Sequence, residues 1–193
     1  MTPTAPPRPR PAADLVAPLP LTDPAKELLT PEVGVRPYLE KLVAAGLTVD
    51  ALRVLALALP KPEAVWWACV CIRQAVPKPW LVACENALDA AEKWAKDPGE
   101  ANRRACGSVA EAAGWDTAQG CAAGAAWLSG GSLSPPNLPP VQPREDLTGQ
   151  TLAGALRLAA AFDPANTAAR IAAFVQTGMT VADGKLKRGE RPA

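Results

Sequence analysis

Between residues 79 and 96 the apolar side chains Trp80, Cys84, Leu88, Ala91 and Ala95 return every three or four positions, while Glu85, Asp89, Glu92 and Lys96 fill the opposite face. That period predicts a helix with one wet side. Two neighbouring stretches follow the same period without a polar face. Residues 49–59 carry only Asp50 and Arg53 as charges, and 62–76 only Glu63 and Arg73. Helices that are apolar nearly all round belong in the interior, so these two are expected to be the most buried.

Read the same way, the chain predicts helices at 36–45, 49–59, 62–76, 79–96, 100–113, 117–129, 148–162 and 165–177, with proline at entries and glycine at exits. Strand signals are nearly absent. The fold class is all-α: a single domain of stacked short helices arranged as helical hairpins. Two internal echoes support the hairpins. "ALPKPEAVWWAC" (58–69) aligns with "AVPKPWLVAC" (75–84), one helix-plus-corner used twice. "AAGLT" (44–48), "AAGWD" (112–116) and "QTGMT" (176–180) each read as a helix end closed by glycine, so Gly46, Gly114 and Gly178 are expected helix stops. Their spacing is too irregular for a named repeat family, and a superhelical stack stays open.

Composition divides the chain further. Residues 1–29 are dense in proline and are expected to be a solvated tail outside the core. "PPRPRP" has the composition of a ligand for an aromatic groove, but its arginines are not at the spacing such grooves read. Residues 30–131 form the main helical body. Residues 132–146, rich in proline, make a strap or linker; an ordered strap with Leu133, Leu138 and Val141 facing inward is the favoured form. The C-terminal hairpin (147–182) carries Leu152, Leu156, Ala159, Phe162, Ile171, Phe174 and Val175 at core spacing. It must be covered, by the body or by a second copy in a homodimer. Residues 183–193 read as a short, frayed basic tail.

The chemistry available is narrow. The chain of 193 residues has 20 basic and 19 acidic side chains, so no strong field recruits nucleic acid or anionic lipid. Prolines interrupt the most apolar region, no membrane span is expected, and the proline-rich start is a poor export signal. With reduced thiols as well, the expected location is cytoplasmic. There is no histidine, which removes the commonest general base and the usual triads. Cys69 and Cys71, two apart on a helix, point about 200° away from each other and cannot chelate one ion. No metal, no cofactor and no catalytic residue are expected, and the five cysteines read as buried free thiols.

Three features deserve weighing as sites. Glu85, Asp89 and Glu92 share one helical face, as acid–base or cation chemistry would require, but interleaved lysines make a solvated charge stripe the better reading. Arg73 interrupts an apolar helix and is expected to pair with Glu85 or Glu63. Trp66 and Trp67 are adjacent and point different ways, one into the core and the other toward a neighbouring helix or a surface groove. Trp66, Trp67, Arg73 and Glu85 are therefore the candidate lining of a ligand or partner groove. Nucleic-acid stacking on these indoles is not expected, because no basic patch accompanies them.

At "LPKPEAVWWAC" (59–69), "EAAGWD" (111–116) and "LSGGSLSPPNLPPV" (128–141) the chain resembles a family of small, Ala- and Pro-rich bacterial proteins classified only as a domain of unknown function. The resemblance runs from about residue 30 to 182. It implies no catalytic residue, and it implies a setting beside secretion machinery. The expected function is a non-catalytic helical interaction module or accessory subunit of a bacterial assembly with a protein partner. A small-ligand binder and a carboxylate-dependent enzyme are the alternatives.

Overall fold

The computed structural model describes residues 11–135 and 137–190, and among them it contains ten α-helices and no strand. Eight follow the expected pattern: α3 (Val35–Ala44), α4 (Thr48–Ala58), α5 (Lys61–Ala75), α6 (Val82–Lys96), α7 (Glu100–Ala113), α8 (Ala118–Trp127), α9 (Leu147–Ala161) and α10 (Thr167–Ala182). Two short helices, α1 (Ala12–Val16) and α2 (Asp23–Glu27), precede them. One contiguous core joins all parts, with Trp67, Tyr38, Leu52, Leu55, Leu88, Leu152 and Leu156 fully buried.

The caps follow the local chemistry. Gly46 and Gly114 hold φ of 73° and 85°, a region open to glycine at little cost, and each ends a helix as expected. Thr117 starts α8, its hydroxyl accepting from Gly120 N at 2.9 Å. Gly178, by contrast, is not a helix stop. It lies inside α10, where a Cβ would run into Leu55 and the Trp67 ring, so its role is to let α10 approach α4 and α5. The α6 boundary also moves: Leu81 after the second PKP corner is extended, and the helix begins at Val82.

The interior of the domain is α8 more than α4 or α5. Every residue from Ala118 to Ala126 is buried, and the helix packs against α5, α6, α7 and α9. Small residues make this possible. Gly107 on α7 leaves room for the Trp127 ring and Gly124 for Trp115, each of which a Cβ at that glycine would crowd. The C-terminal hairpin is covered by the body, with α9 on α4, α5 and α8 and α10 on α4 and α5.

Three expectations about the edges are corrected. Residues 11–29 are not a solvated tail. Ala12, Val16, Leu19, Leu21 and Ala25 are buried, Ala12 N donates to Val33 O at 2.8 Å, and Tyr38 Oη donates to Ala25 O at 2.7 Å. The buried Asp50 carboxylate anchors this segment by accepting from Thr22 N at 3.2 Å and Thr22 Oγ1 at 2.8 Å. Residues 1–10, with most of "PPRPRP", lie outside the described residues.

Along the strap, Leu138 and Val141 are 54% exposed and do not face inward. What holds it is a set of basic side chains donating to backbone carbonyls: Arg103 to Trp127 O at 2.6 Å and Ser132 O at 3.0 Å, Arg104 to Ser134 O at 3.2 Å, and Lys61 to Ser129 O at 2.7 Å. The C-terminal segment is not frayed through Glu190 either. Arg188 donates to Ala95 O at 2.7 Å and pairs with Glu63 at 3.1 Å, while Asp183 pairs with Arg36.

Candidate functional site

The four residues expected to line one groove are separated by the fold. Trp67 is fully buried, and its indole N–H donates to the Phe174 carbonyl at 2.9 Å, tying α5 to α10. Trp66 points the other way. With Arg73, Glu92 and Glu190 it lines a recess of about 330 Å³. Glu85 is elsewhere on the surface, accepting from Lys78 Nζ at 3.0 Å. Trp66 and Arg73 thus share a recess, and Trp67 and Glu85 do not join it.

Arg73 is not paired with Glu85 or Glu63. Its Nε donates to Glu92 at 2.5 Å and its Nη2 to Asp89 at 2.6 Å, because α6 crosses α5 with that part of its acidic face toward Arg73. The hydrogen bond that Arg73 donates to Glu92, opposed by burial and aided by Asp89, holds the guanidinium above its usual value. All three carboxylates of the α6 stripe therefore carry a cation: Glu85 has Lys78, and Asp89 and Glu92 have Arg73.

The five thiols are buried and unpaired. Burial pushes Cys69 well above the ordinary thiol range, with the Glu92 carboxylate adding to the effect, and burial lifts Cys106 to about 11. Among the described residues no group of three Cys, Asp or Glu side chains is placed to hold a metal ion, and no helix is long and apolar enough to cross a membrane.

A different surface concentrates the exposed apolar area. Leu81 is 76% exposed and Val82 75%, both at the entry to α6; Phe162, 55% exposed, and Leu158 stand at the end of α9. Leu81, Leu158 and Phe162, with the half-buried Trp80, line a groove of about 400 Å³ between the PKP corner and the starts and ends of α8 and α9. Covering one such side chain is worth roughly 1.5–3 kcal/mol, so leaving the cluster bare in the folded chain is energetically costly.

The same groove contains two polar groups without partners. Gln119, in the first turn of α8, is 3% exposed and lines the groove, yet its amide makes no hydrogen bond among the described residues. Among the described residues the one fully enclosed side-chain oxygen or nitrogen without a partner is Thr148 Oγ1; the Gln119 amide is not fully enclosed, and Gln119 lines the groove. Asp116, on the rim, has no cation within 4.0 Å among the described residues. The cations beside Trp80 are already matched: Lys78 stands 4.9 Å from its ring and bonds Glu85, and Arg73 stands 5.7 Å away and bonds Asp89 and Glu92.

A larger recess of about 700 Å³ lies beneath the C-terminal segment, floored by Ala58, Leu59 and Val181 and rimmed by Glu63, Lys96, Lys187 and Arg188. Its best-placed cation, Arg188, is spent on Glu63 and Ala95 O, and no buried polar side chain is left unpartnered in it. Size alone does not make it the better site.

Sequence reasoning passed over the groove residues. By spacing, Trp80 reads as core, Leu81 and Val82 as helix, Phe162 as a hidden hairpin residue and Asp116 as the capping end of the AAGWD corner; Gln119 carries no signal.

The described residues form an all-helical domain with an apolar groove bordered by Trp80, Leu81, Leu158 and Phe162. The model of a family described as "Family of unknown function (DUF6931)" matches residues 38–182, and the chain belongs to that family. No curated protein and no solved structure matches the chain.

Proposed function

We propose that the protein is a non-catalytic interaction module, an adaptor or accessory subunit that engages a protein partner through the groove of Trp80, Leu81, Leu158 and Phe162. The observation that carries this reading is the convergence of those exposed apolar side chains on one groove, in a chain whose other apolar residues are largely packed away. The neutralised carboxylate stripe and the inert, buried thiols support a role without chemistry of its own. A cytoplasmic location and a bacterial, secretion-associated assembly, the setting the family resemblance implies, belong to the same proposal, as does the absence of nucleic-acid and membrane partners.

A second reading is a homodimer through 147–182. Phe162 and Leu158 favour it, since both lie in that hairpin and stay exposed. Capture of the tagged full chain from its native cell, with quantitative mass spectrometry, tests the proposal. Wild type and a Leu138→Asp control should recover the same partner, and Phe162→Asp should lose it. A partner retained by Phe162→Asp, or recovery of nothing but the chain itself, contradicts it.

A further inference from the structure

We infer that the groove receives an extended segment of a partner protein that presents apolar side chains and one basic residue, with Gln119 reading the segment's backbone and Asp116 its positive charge. This rests on the proposed interaction role and goes beyond it in naming the chemistry of the partner.

The case begins with Gln119. A side-chain amide carries one acceptor and two donor hydrogens, and those of Gln119, a residue 3% exposed, have no protein partner among the described residues and stay open to whatever enters the groove. An unpartnered amide in the floor of an apolar groove is explained when something in the groove completes it. Its donor and acceptor match a peptide's C=O and N–H groups. A partner helix does not offer these, because its backbone groups are used internally. An extended segment leaves them free, and in such segments alternate side chains enter pockets while the main chain is hydrogen-bonded. The apolar walls supply the pockets: Trp80 and Leu81 on one side, Leu158 and Phe162 on the other.

Charge decides the rest. Of the ionic groups around the groove, Lys78, Glu85, Arg73, Asp89 and Glu92 are paired with one another, and Asp163, next to Phe162, is paired with Arg170 at 3.4 Å. Asp116 is the uncompensated one among the described residues that line the groove. Asp116 is exposed at the groove, so a Lys or Arg in the segment is favoured there and an acidic residue disfavoured, by an amount that falls as salt is added.

A display library of random linear dodecapeptides, panned on the full-length protein after subtraction on Phe162→Asp, tests the assignment. Selected peptides should be apolar with at least one Lys or Arg and no helical spacing. A synthetic copy of the best one should bind Asp116→Lys about three- to tenfold more weakly at low salt, the size expected when an exposed charge pair is lost and replaced by a like-charge contact, and the difference should shrink as salt is added. Gln119→Leu should weaken it by a similar factor while leaving the thermal midpoint unchanged or raised, since an unpartnered amide is lost; a merely structural Gln119 would lower the midpoint instead. Peptides without basic residues, binding indifferent to Asp116→Lys, no selected peptide, or Phe162-dependent dimerisation in sedimentation would each overturn the assignment. If the native partner is lost on Phe162→Asp yet unaffected by Asp116→Lys and Gln119→Leu, this inference fails and the interaction role stands.

Discussion

The indole N–H of Trp67 donates to the Phe174 carbonyl across 2.9 Å, joining residues 107 positions apart in the chain. Beside that bond Gly178 gives α10 room to lie against Leu55 and the Trp67 ring. Together they seat the C-terminal hairpin on α4 and α5. Trp67→Phe should cost about 1–3 kcal/mol through the lost bond and the void left by the smaller ring. Gly178→Val should cost at least about 2 kcal/mol, because the neighbours to be displaced are core side chains. Urea denaturation measures both, and wild-type stability in either variant would contradict the packing described.

Removal of residues 147–193 should expose the faces of α4, α5 and α8 that the hairpin covers. The expected outcome is aggregation, measured by light scattering of the truncated chain. A soluble truncation of equal stability would show that those faces need no cover.

Asp50 should act as the anchor of residues 11–29, since it receives the Thr22 N–H and hydroxyl and lies 3.3 Å from Arg53. Asp50→Ala should cost about 2 kcal/mol and open that segment to proteolysis before the rest of the chain. Cleavage spread evenly over the domain would argue against an anchoring role.

Glu100 gives a pH dependence. Hydrogen bonding to Arg103 first, with Arg104 adding to it, lowers its carboxyl from 4.5 to about 2. A group held lower in the folded chain stabilises fully above its unfolded value and loses that contribution as pH falls toward its folded value. Glu100 is half exposed, so screening limits the effect to under about 1 kcal/mol. Chemical denaturation at about pH 6 and about pH 2 should find wild type more stable than Glu100→Gln at the higher pH, with the gap closing at the lower. A gap independent of pH would contradict the assignment.

The thiols offer a check on the core. With burial raising Cys69, Cys71, Cys106 and Cys121, labelling by a soluble disulfide reagent should be slow in the native protein and should reach five equivalents after unfolding. Rapid native labelling of Cys69 or Cys71 would mean that α5 is not the buried helix described.

Much of this architecture was legible because periodicity reports burial directly: the stripe on α6 and the charge-poor α4 and α5 each predicted their own helix. What was misread depended on partners distant in sequence. Proline density hid α1 and α2, although Thr22 with Pro24 two residues on is a helix-start signature that was present and passed over. The local string around Gly178 matches that of a true stop, and only the approach of α4 and α5 makes it a contact residue. Arg73 chose Glu92 and Asp89 over Glu85 through the crossing of two helices, which spacing along either one does not encode. The groove is assembled from the PKP corner, the start of α8 and the end of α9, each unremarkable alone.

The most direct measurement of the central claim is site-specific photo-cross-linking in the native cell, with benzoylphenylalanine placed at Phe162, Leu81 or, as an exposed apolar control, Leu138. The account predicts a single heavier adduct, the same partner from positions 162 and 81, and none from 138. No adduct from the groove positions, or an equal yield from Leu138, would contradict it.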